Sequence, residues 1–527
     1  MRRFLIAALA MAGLALPPAA MAAGPPGPLT PGPMTSGPDA SRPPAPADAF
    51  EQDAQALDQA IAKHDCDLGL PAARRFVANP RFEPLDDRVK LTIWRVAAAC
   101  AQEIDLKEEA FAAARHATQF PDADDWLWIY RIAAGVDLDH VDDVADAVER
   151  LAVVRAATLN AVPVRTFLEF QLQQEHKRPD ALRRVLAALE KANYKPKDVL
   201  GSADWLWLAS ARMAFDAGDT DHAGALVRRI TSVKELIQIR LDARFSAVVA
   251  ADPARFDLKA AAERSLAEHR AVMDAHPDLI QAVHETVTDL RALGRYDEAL
   301  ALAQSALDRA ARAPRGKPAF TDQAEKLNRI TEDKGSILLE VGRVDAALAV
   351  ERAAAGLGEE GGKNVSQTIN LAGFLGVADK PAEVLKVLTA FDKRLPASRY
   401  GIAWVHAERA CADESLGRTF DVAAELAWLA THQADNPSAR LKALLCVGDL
   451  DGAAASMTAD LQDPARRDNA LIILCDFDVR SHLTVRAALL ASRLAAVAAR
   501  PDVRAAIAKV GRTEHIPLNG DPFVDVF

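Results

Sequence analysis

From about residue 50 to residue 510, apolar side chains return at every third or fourth position, the spacing that gathers them on one face of an α-helix. After Gly294 the stripe is Tyr296, Ala299, Leu300, Ala303, Ala306 and Leu307. Leu182, Val185, Leu186 and Leu189 make a second, and Val384, Leu388 and Phe391 mark a third. The strict alternation of a half-buried strand is essentially absent, and the one Asn-Gly pair, Asn519-Gly520, lies near the C-terminus. The pattern predicts helices paired across short joints: 86–103 with 106–119, 123–137 with 140–156, 163–176 with 179–192, 203–217 with 219–231, and 278–293 with 295–312. It continues with 321–341 and 343–356, 364–377 and 381–394, 399–416 and 418–432, 437–447 and 450–461, and 466–477 and 482–499. The stretch 233–276 reads as helical but fits the pairing poorly, and 313–320 reads as a longer connection.

The joints repeat as well. They read GDTDHAGAL at Gly218, GRYDEALAL at Gly294, GRVDAALAV at Gly342 and GDLDGAAAS at Gly448. A glycine and one or two polar residues close one helix, and an Ala/Leu-rich helix begins at once. DADDWLW ending at Trp128 and SADWLW ending at Trp207 repeat a second signal, two units of roughly 40 residues apart. Recurrence on this scale predicts a stacked helical solenoid, in which each unit packs on its neighbours.

These units resemble tetratricopeptide (TPR) repeats, helix-turn-helix modules with small residues where the helices cross. In the unit at 280–313, Gly294 takes the turn, Tyr296 follows it, and Ala299 and Ala306 take the small positions of the second helix. Trp207, Ala211, Gly218 and Ala223 match the aromatic, small, turn and small positions of the unit at 203–236. Gly335, Gly342, Ala347 and Ala354 do so in the unit at 328–361. Thr286-Val287 departs from the Leu-Gly pair of the family pattern, and the match is diffuse outside about 200–350. The resemblance implies an all-α fold, a right-handed superhelix of about ten TPR-like helix pairs over 48–511, followed by a C-terminal tail at 512–527. It also implies a concave face that holds a peptide or protein segment.

The first residues change where this object is expected to act. Arg2 and Arg3, the apolar run Phe4–Leu16, the break at Pro17-Pro18 and Ala20-Met21-Ala22 have the order of a cleaved signal peptide over 1–22. The apolar run is too short to span a bilayer. No cysteine follows it directly, so a lipid-anchoring cysteine is not expected. Residues 23–47 are rich in Pro and Gly without periodicity and predict a disordered linker. The expected destination is the periplasm or the medium, with no membrane span after cleavage.

Charge and cysteine narrow the partners. The net charge is -11, and no basic stripe of the kind that marks nucleic-acid binding is present. The five cysteines are Cys66, Cys100, Cys411, Cys446 and Cys475, so at least one stands outside any intrachain pair. Cys66 and Cys100 fall on neighbouring helices, where a bridge and two buried thiols are both compatible with the spacing. No pair can be chosen among Cys411, Cys446 and Cys475.

Candidate chemistry is sparse. Asp137, Asp139, Asp142, Asp143 and Asp146 lack the glycine and the alternation of a calcium loop, and read as acids at and near a helix N-terminus. Asp413-Glu414-Ser415 has the Glu-Ser order of a transglycosylase acid but sits in another helix joint. His269, His276 and His284 have no ligand spacing. No catalytic residue, metal site or cofactor is expected. Trp126 and Trp205 stand two residues before Trp128 and Trp207, so one of each pair should pack inward, and Trp126 and Trp205 are the partner-binding candidates. The expectation is therefore a non-enzymatic exported scaffold for a protein or peptide segment. The alternatives are an enzyme-associated or polysaccharide-binding envelope protein, and a purely structural member of an assembly.

Overall fold

The computed structural model describes residues 48–314, 316–356, 364–392, 397–478 and 482–520. The expected signal peptide and linker lie outside the described residues, as does the side chain of Phe391. Within them the chain is all-α in its architecture, with 27 α-helices that pack on their neighbours in sequence, the arrangement of an α-solenoid. It divides into two compact units, one reaching to Leu206 and one starting at Trp207.

The first unit is a stack of helix pairs. They are Ala49–Lys63 with Cys66–Ala78, Asp87–Glu103 with Lys107–Ala117, Asp125–Asp137 with Val141–Val154, and Val164–Gln174 with Pro179–Lys191. The opening pair was not resolved by the sequence pattern. Aspartates start these helices by accepting an orphan backbone N–H: Asp65 from Leu68 at 3.1 Å, Asp86 from Arg88 at 2.8 Å and Asp124 from Leu127 at 3.0 Å. Small residues let the axes approach. A Cβ on Gly135 would stand 2.8 Å from Val144 and 3.2 Å from Phe111.

One turn design closes most first helices in both units. A left-handed residue follows the helix, and the next N–H bonds back to a carbonyl five residues earlier. Leu106 bonds Ala101 at 2.8 Å, His140 bonds Gly135 at 2.8 Å, Arg295 bonds Leu290 at 2.8 Å and Arg343 bonds Leu338 at 2.7 Å. The left-handed residue is Gly218, Gly294, Gly342, Gly417, Gly448 or Asp379 (φ 56°) in the second unit, and Asp105 (φ 60°) or Asp139 (φ 61°) in the first. Asp139 is therefore a turn residue rather than an N-terminal acid, and its carboxylate accepts from Gln174 Nε2 at 2.7 Å. The repeat length also shows in polar contacts between successive pairs. Arg74 reaches Glu109, Arg184 reaches Glu149 and Lys442 reaches Glu408 at separations of 35, 35 and 34 residues.

The second unit continues the pairing from Ile280–Ala292 with Tyr296–Arg312 to Pro437–Val447 with Leu450–Gln462. Its core around 280–337 is built by Val283, Val287, Leu290, Ala299, Ala303, Ala306 and Ile337. Ala211, Ala223, Ala347 and Ala354 are also buried, as small residues at helix crossings must be. Beyond Gln462 the pairing ends. The helix expected at 466–477 stops at Ile473, and strand β1, Asp476–Asp478, pairs in parallel with β2, His515–Asn519. The segment after 511, expected as a tail, thus enters the fold: Ile516 and Leu518 are fully buried, and β2 packs on Leu258–Ala275 and Ile280–Ala292. Two inward residues are too few for alternation to register in a sequence.

Candidate functional site

In the first unit the outward stripe of the helix Asp125–Asp137 carries aromatic and acidic groups. Leu127, Trp128, Arg131 and Ile132 are buried, whereas Trp126 and Tyr130 are half-buried and Asp137 is exposed. Trp126 and Tyr130, one turn apart, stack with centroids 5.6 Å apart. Burial, with Asp137 and Asp105 nearby, pushes the Tyr130 hydroxyl up to about 12. Although Asp137 is exposed, the protein around its carboxyl strips part of its water, and this and then Glu169 raise its pKa, with Lys107 opposing them. Glu169 is paired with Arg165 at 2.8 Å and Asp105 with Lys107 at 3.9 Å, but no cation pairs with Asp137 among the described residues. Trp205 is also half-buried and donates its indole N–H to the Ser202 carbonyl at 3.0 Å. No ring contact joins Trp126 and Trp205 among the described residues. Trp207 is buried under Arg229 at 4.1 Å, and Trp128 under Arg131 and Arg150.

The second unit holds a buried ion pair. Lys442 Nζ stands 2.6 Å from Glu408 Oε1, with the side chains 5% and 4% exposed. Gly373 and Gly376 make room for the carboxylate, and the ammonium stands 5.8 Å from the Trp404 ring. The pair borders a cavity of about 10 Å³, room for one water, with the Cys411–Cys446 disulfide, Ser415 and Arg486 also in its wall. A substrate has no space there. Cys66 and Cys100 are joined as well, and Cys475 belongs to neither bridge.

Histidines sit in polar ladders between helices. His284 Nδ1 is 2.7 Å from Asp333, and Arg291 is 2.7 Å from Glu340. Burial opposes the charge of His284, but the bond to Asp333 together with the negative charges of Asp333 and Glu285 outweighs it and lifts the pKa above the usual histidine value. Ser265, His269 and Asp289 assemble without the order of a nucleophile triad. Ser265 Oγ donates to Asp289 at 3.0 Å, and His269 Nδ1 meets the same carboxylate at 2.7 Å. Serine and histidine thus share one acceptor, and the hydroxyl is not relayed through the imidazole. Asp143, within the acidic run, is paired with Arg115 at 2.8 Å and Arg131 at 2.7 Å. Glu414 lies 3.2 Å from Arg486 rather than in an apolar cleft.

The segment after residue 481 runs along the joints of the second unit. His482 donates its backbone N–H to the Glu340 carbonyl at 3.2 Å and lies against Gly342. Arg486 reaches the Cys411 carbonyl at 3.4 Å, and Arg493 reaches those of Leu445 and Cys446 at 2.6 and 2.5 Å. Asn519 lies against Gly294. The joint glycines therefore serve the close approach of this segment as well as the turn. Tyr130, Asp137 and the Glu408–Lys442 pair are features the sequence reading missed. Their partners are set by stacking of repeats, which no local motif encodes.

Neither the protein-family models nor the curated proteins give a match to this chain. Among the described residues no helix is long and apolar enough to cross a membrane, and no group of His, Cys, Asp or Glu is placed to hold a metal ion.

Proposed function

We propose that the protein is a TPR-like, exported, non-enzymatic scaffold that binds a peptide or protein segment on the face built by its first helices. The observation that carries this reading is the Trp126–Tyr130 stack on the outward stripe of Asp125–Asp137. Tryptophan and tyrosine are the side chains that most often anchor an interface, because they bring large area at small entropic cost. A half-buried aromatic pair on an otherwise regular helix gains from being covered. The signal-like order of residues 1–22 supports export, and two disulfides suit an oxidising compartment.

Export is tested by N-terminal sequencing of the protein from its native host. A chain beginning near Ala23 agrees, and one beginning at Met1 contradicts it. Binding is tested by affinity capture with the tagged mature protein and with Trp126→Ala/Tyr130→Ala in parallel. A partner retained by the first and lost by the second, at unchanged melting temperature, supports the reading. Turnover of peptidoglycan, peptides or esters that is abolished by Glu414→Gln would replace it with an enzyme.

A further inference from the structure

Two cross-links in the second unit join the same pair of helices at the same ends. Cys411, one turn before the end of Arg399–Ser415, is bridged to Cys446, next to last in Pro437–Val447. On the helix Val485–Ala498, Arg486 and Arg493 stand two turns apart and reach the backbone of these same cysteines. Arg486 meets the Cys411 carbonyl at 3.4 Å and the Glu414 carboxylate at 3.2 Å. Arg493 meets the carbonyls of Leu445 and Cys446 at 2.6 and 2.5 Å. The last turn of a helix presents carbonyls and the negative end of the dipole, which a guanidinium suits. Two helical turns span about 11 Å, close to the roughly 8–10 Å between packed helix axes. The clamp therefore closes only while the two helix ends stay at packing distance.

The bridge is the strongest tie that fixes that distance. The two helices meet through Ala403, Ala407, Ala410, Ala439 and Ala443, and an alanine methyl removes little apolar area from water. The buried Glu408–Lys442 pair joins them too, but the desolvation of both ions offsets much of their attraction. The helix Val485–Ala498 in turn covers the bridge. Cys411 and Cys446 are 5% and 1% exposed, and Arg486 and Leu490 complete the wall of the small cavity that they line.

We propose that the Cys411–Cys446 bridge and the helix Val485–Ala498 form a redox latch, in which reduction of the bridge by a dithiol releases the helix and bares the joints it crosses. A thiolate of the dithiol attacks one sulfur, the other cysteine leaves as a thiolate, and the second thiol of the dithiol resolves the mixed disulfide. Two electrons and two protons thus pass to Cys411 and Cys446, and the dithiol becomes a disulfide. Without the bridge the two helix ends are free to separate, and the two guanidinium contacts are no longer made together. The protection is mutual: while the helix is seated, its side chains keep the dithiol from the sulfurs. The latch is independent of what the first unit binds.

The test uses the full-length mature protein and hydrogen exchange read by mass spectrometry. In Cys411→Ser/Cys446→Ser, the amides of Val485–Ala498 should exchange at least about tenfold faster than in the wild type, the effect of losing one hydrogen bond to a charged group. Those of Ile280–Ala292, in the same unit, should be unchanged. The reciprocal arm leaves the cysteines in place. In Arg486→Gln/Arg493→Gln, dithiothreitol should reduce Cys411–Cys446 at least about tenfold faster than in the wild type, as read by differential alkylation. Cys66–Cys100 should be reduced at the same rate in both proteins. Unchanged exchange in Val485–Ala498 without the bridge, a rise that extends to Ile280–Ala292, or a reduction rate indifferent to the two arginines would each overturn the latch.

Discussion

A side chain on Gly335 would occupy the place of the Glu351 carboxylate: the helices Gln323–Glu340 and Val344–Ala355 approach so closely that a Cβ there overlaps Oε1. Glu351 is fully buried, and neither of its carboxylate oxygens has a hydrogen-bond partner among the described residues. The repeat position that takes a small residue for packing therefore also accommodates an acid. Gly335→Ala should destabilise the second unit by about 1–3 kcal/mol, the usual cost of overpacking. Adding Glu351→Ala should recover part of that loss in thermal denaturation. Equal melting temperatures of wild type and Gly335→Ala would mean the two helices are not in this register.

Burial, and then the nearby Glu332, raises Glu351 from 4.5 to about 8. The folded chain thus holds a proton there that the unfolded chain releases above pH 4.5. The sign follows directly: stability is full below about pH 4.5, falls as the pH rises toward 8, and is level above it with respect to this group. The span corresponds to about 5 kcal/mol. Glu351→Gln should melt increasingly above wild type as the pH is raised from 5 to 8. A difference that does not change with pH would show that Glu351 is ionised in the folded state.

Glu408 and Lys442 face each other in the interior at 2.6 Å. Removing one partner leaves an uncompensated buried charge, so Glu408→Gln or Lys442→Met alone should cost about 3–5 kcal/mol. The double variant should be much closer to wild type. Additive losses in the double-variant cycle would contradict direct pairing.

The disulfides Cys66–Cys100 and Cys411–Cys446 close loops of 34 and 35 residues, about one repeat each. On the chain-entropy argument each contributes about 3–4 kcal/mol. The denatured, unreduced protein should show one titratable thiol, that of Cys475, and reduction should lower the melting temperature. Three or five thiols before reduction would refute the pairing.

Ala299 is completely buried at a helix crossing in the core that includes Val283 and Leu290. Ala299→Trp should cost at least about 1–3 kcal/mol. An unchanged melting temperature would place Ala299 on the surface.

Much of the fold was readable because its signals are local. The stripe from Tyr296 to Leu307 and the turn glycines Gly218, Gly294, Gly342 and Gly448 each depend on a handful of consecutive residues. The joints at Asp105 and Asp139 were also placed between the right helices, but their left-handed turn residue was not, because aspartate can adopt the conformation that glycine advertises. The strand pair escaped notice because β1 is three residues long and its partner lies far along the chain. The inward packing of Trp128 and Trp207 followed from helical spacing, but the stack of Trp126 on Tyr130 and the isolation of Asp137 depend on which repeat faces which. The same holds for Glu408 and Lys442, whose 34-residue separation becomes meaningful only once repeats are stacked in register.

The account's central claim is that the first-helix face of the first unit is where a partner sits. Site-specific photo-crosslinking in the native host tests it most directly, with a photoreactive phenylalanine analogue placed at Tyr130 and, for comparison, at Val153, which is exposed on a second helix. The account predicts a discrete protein adduct from position 130 and none from position 153. No adduct from position 130, or the same adducts from both positions, would contradict it.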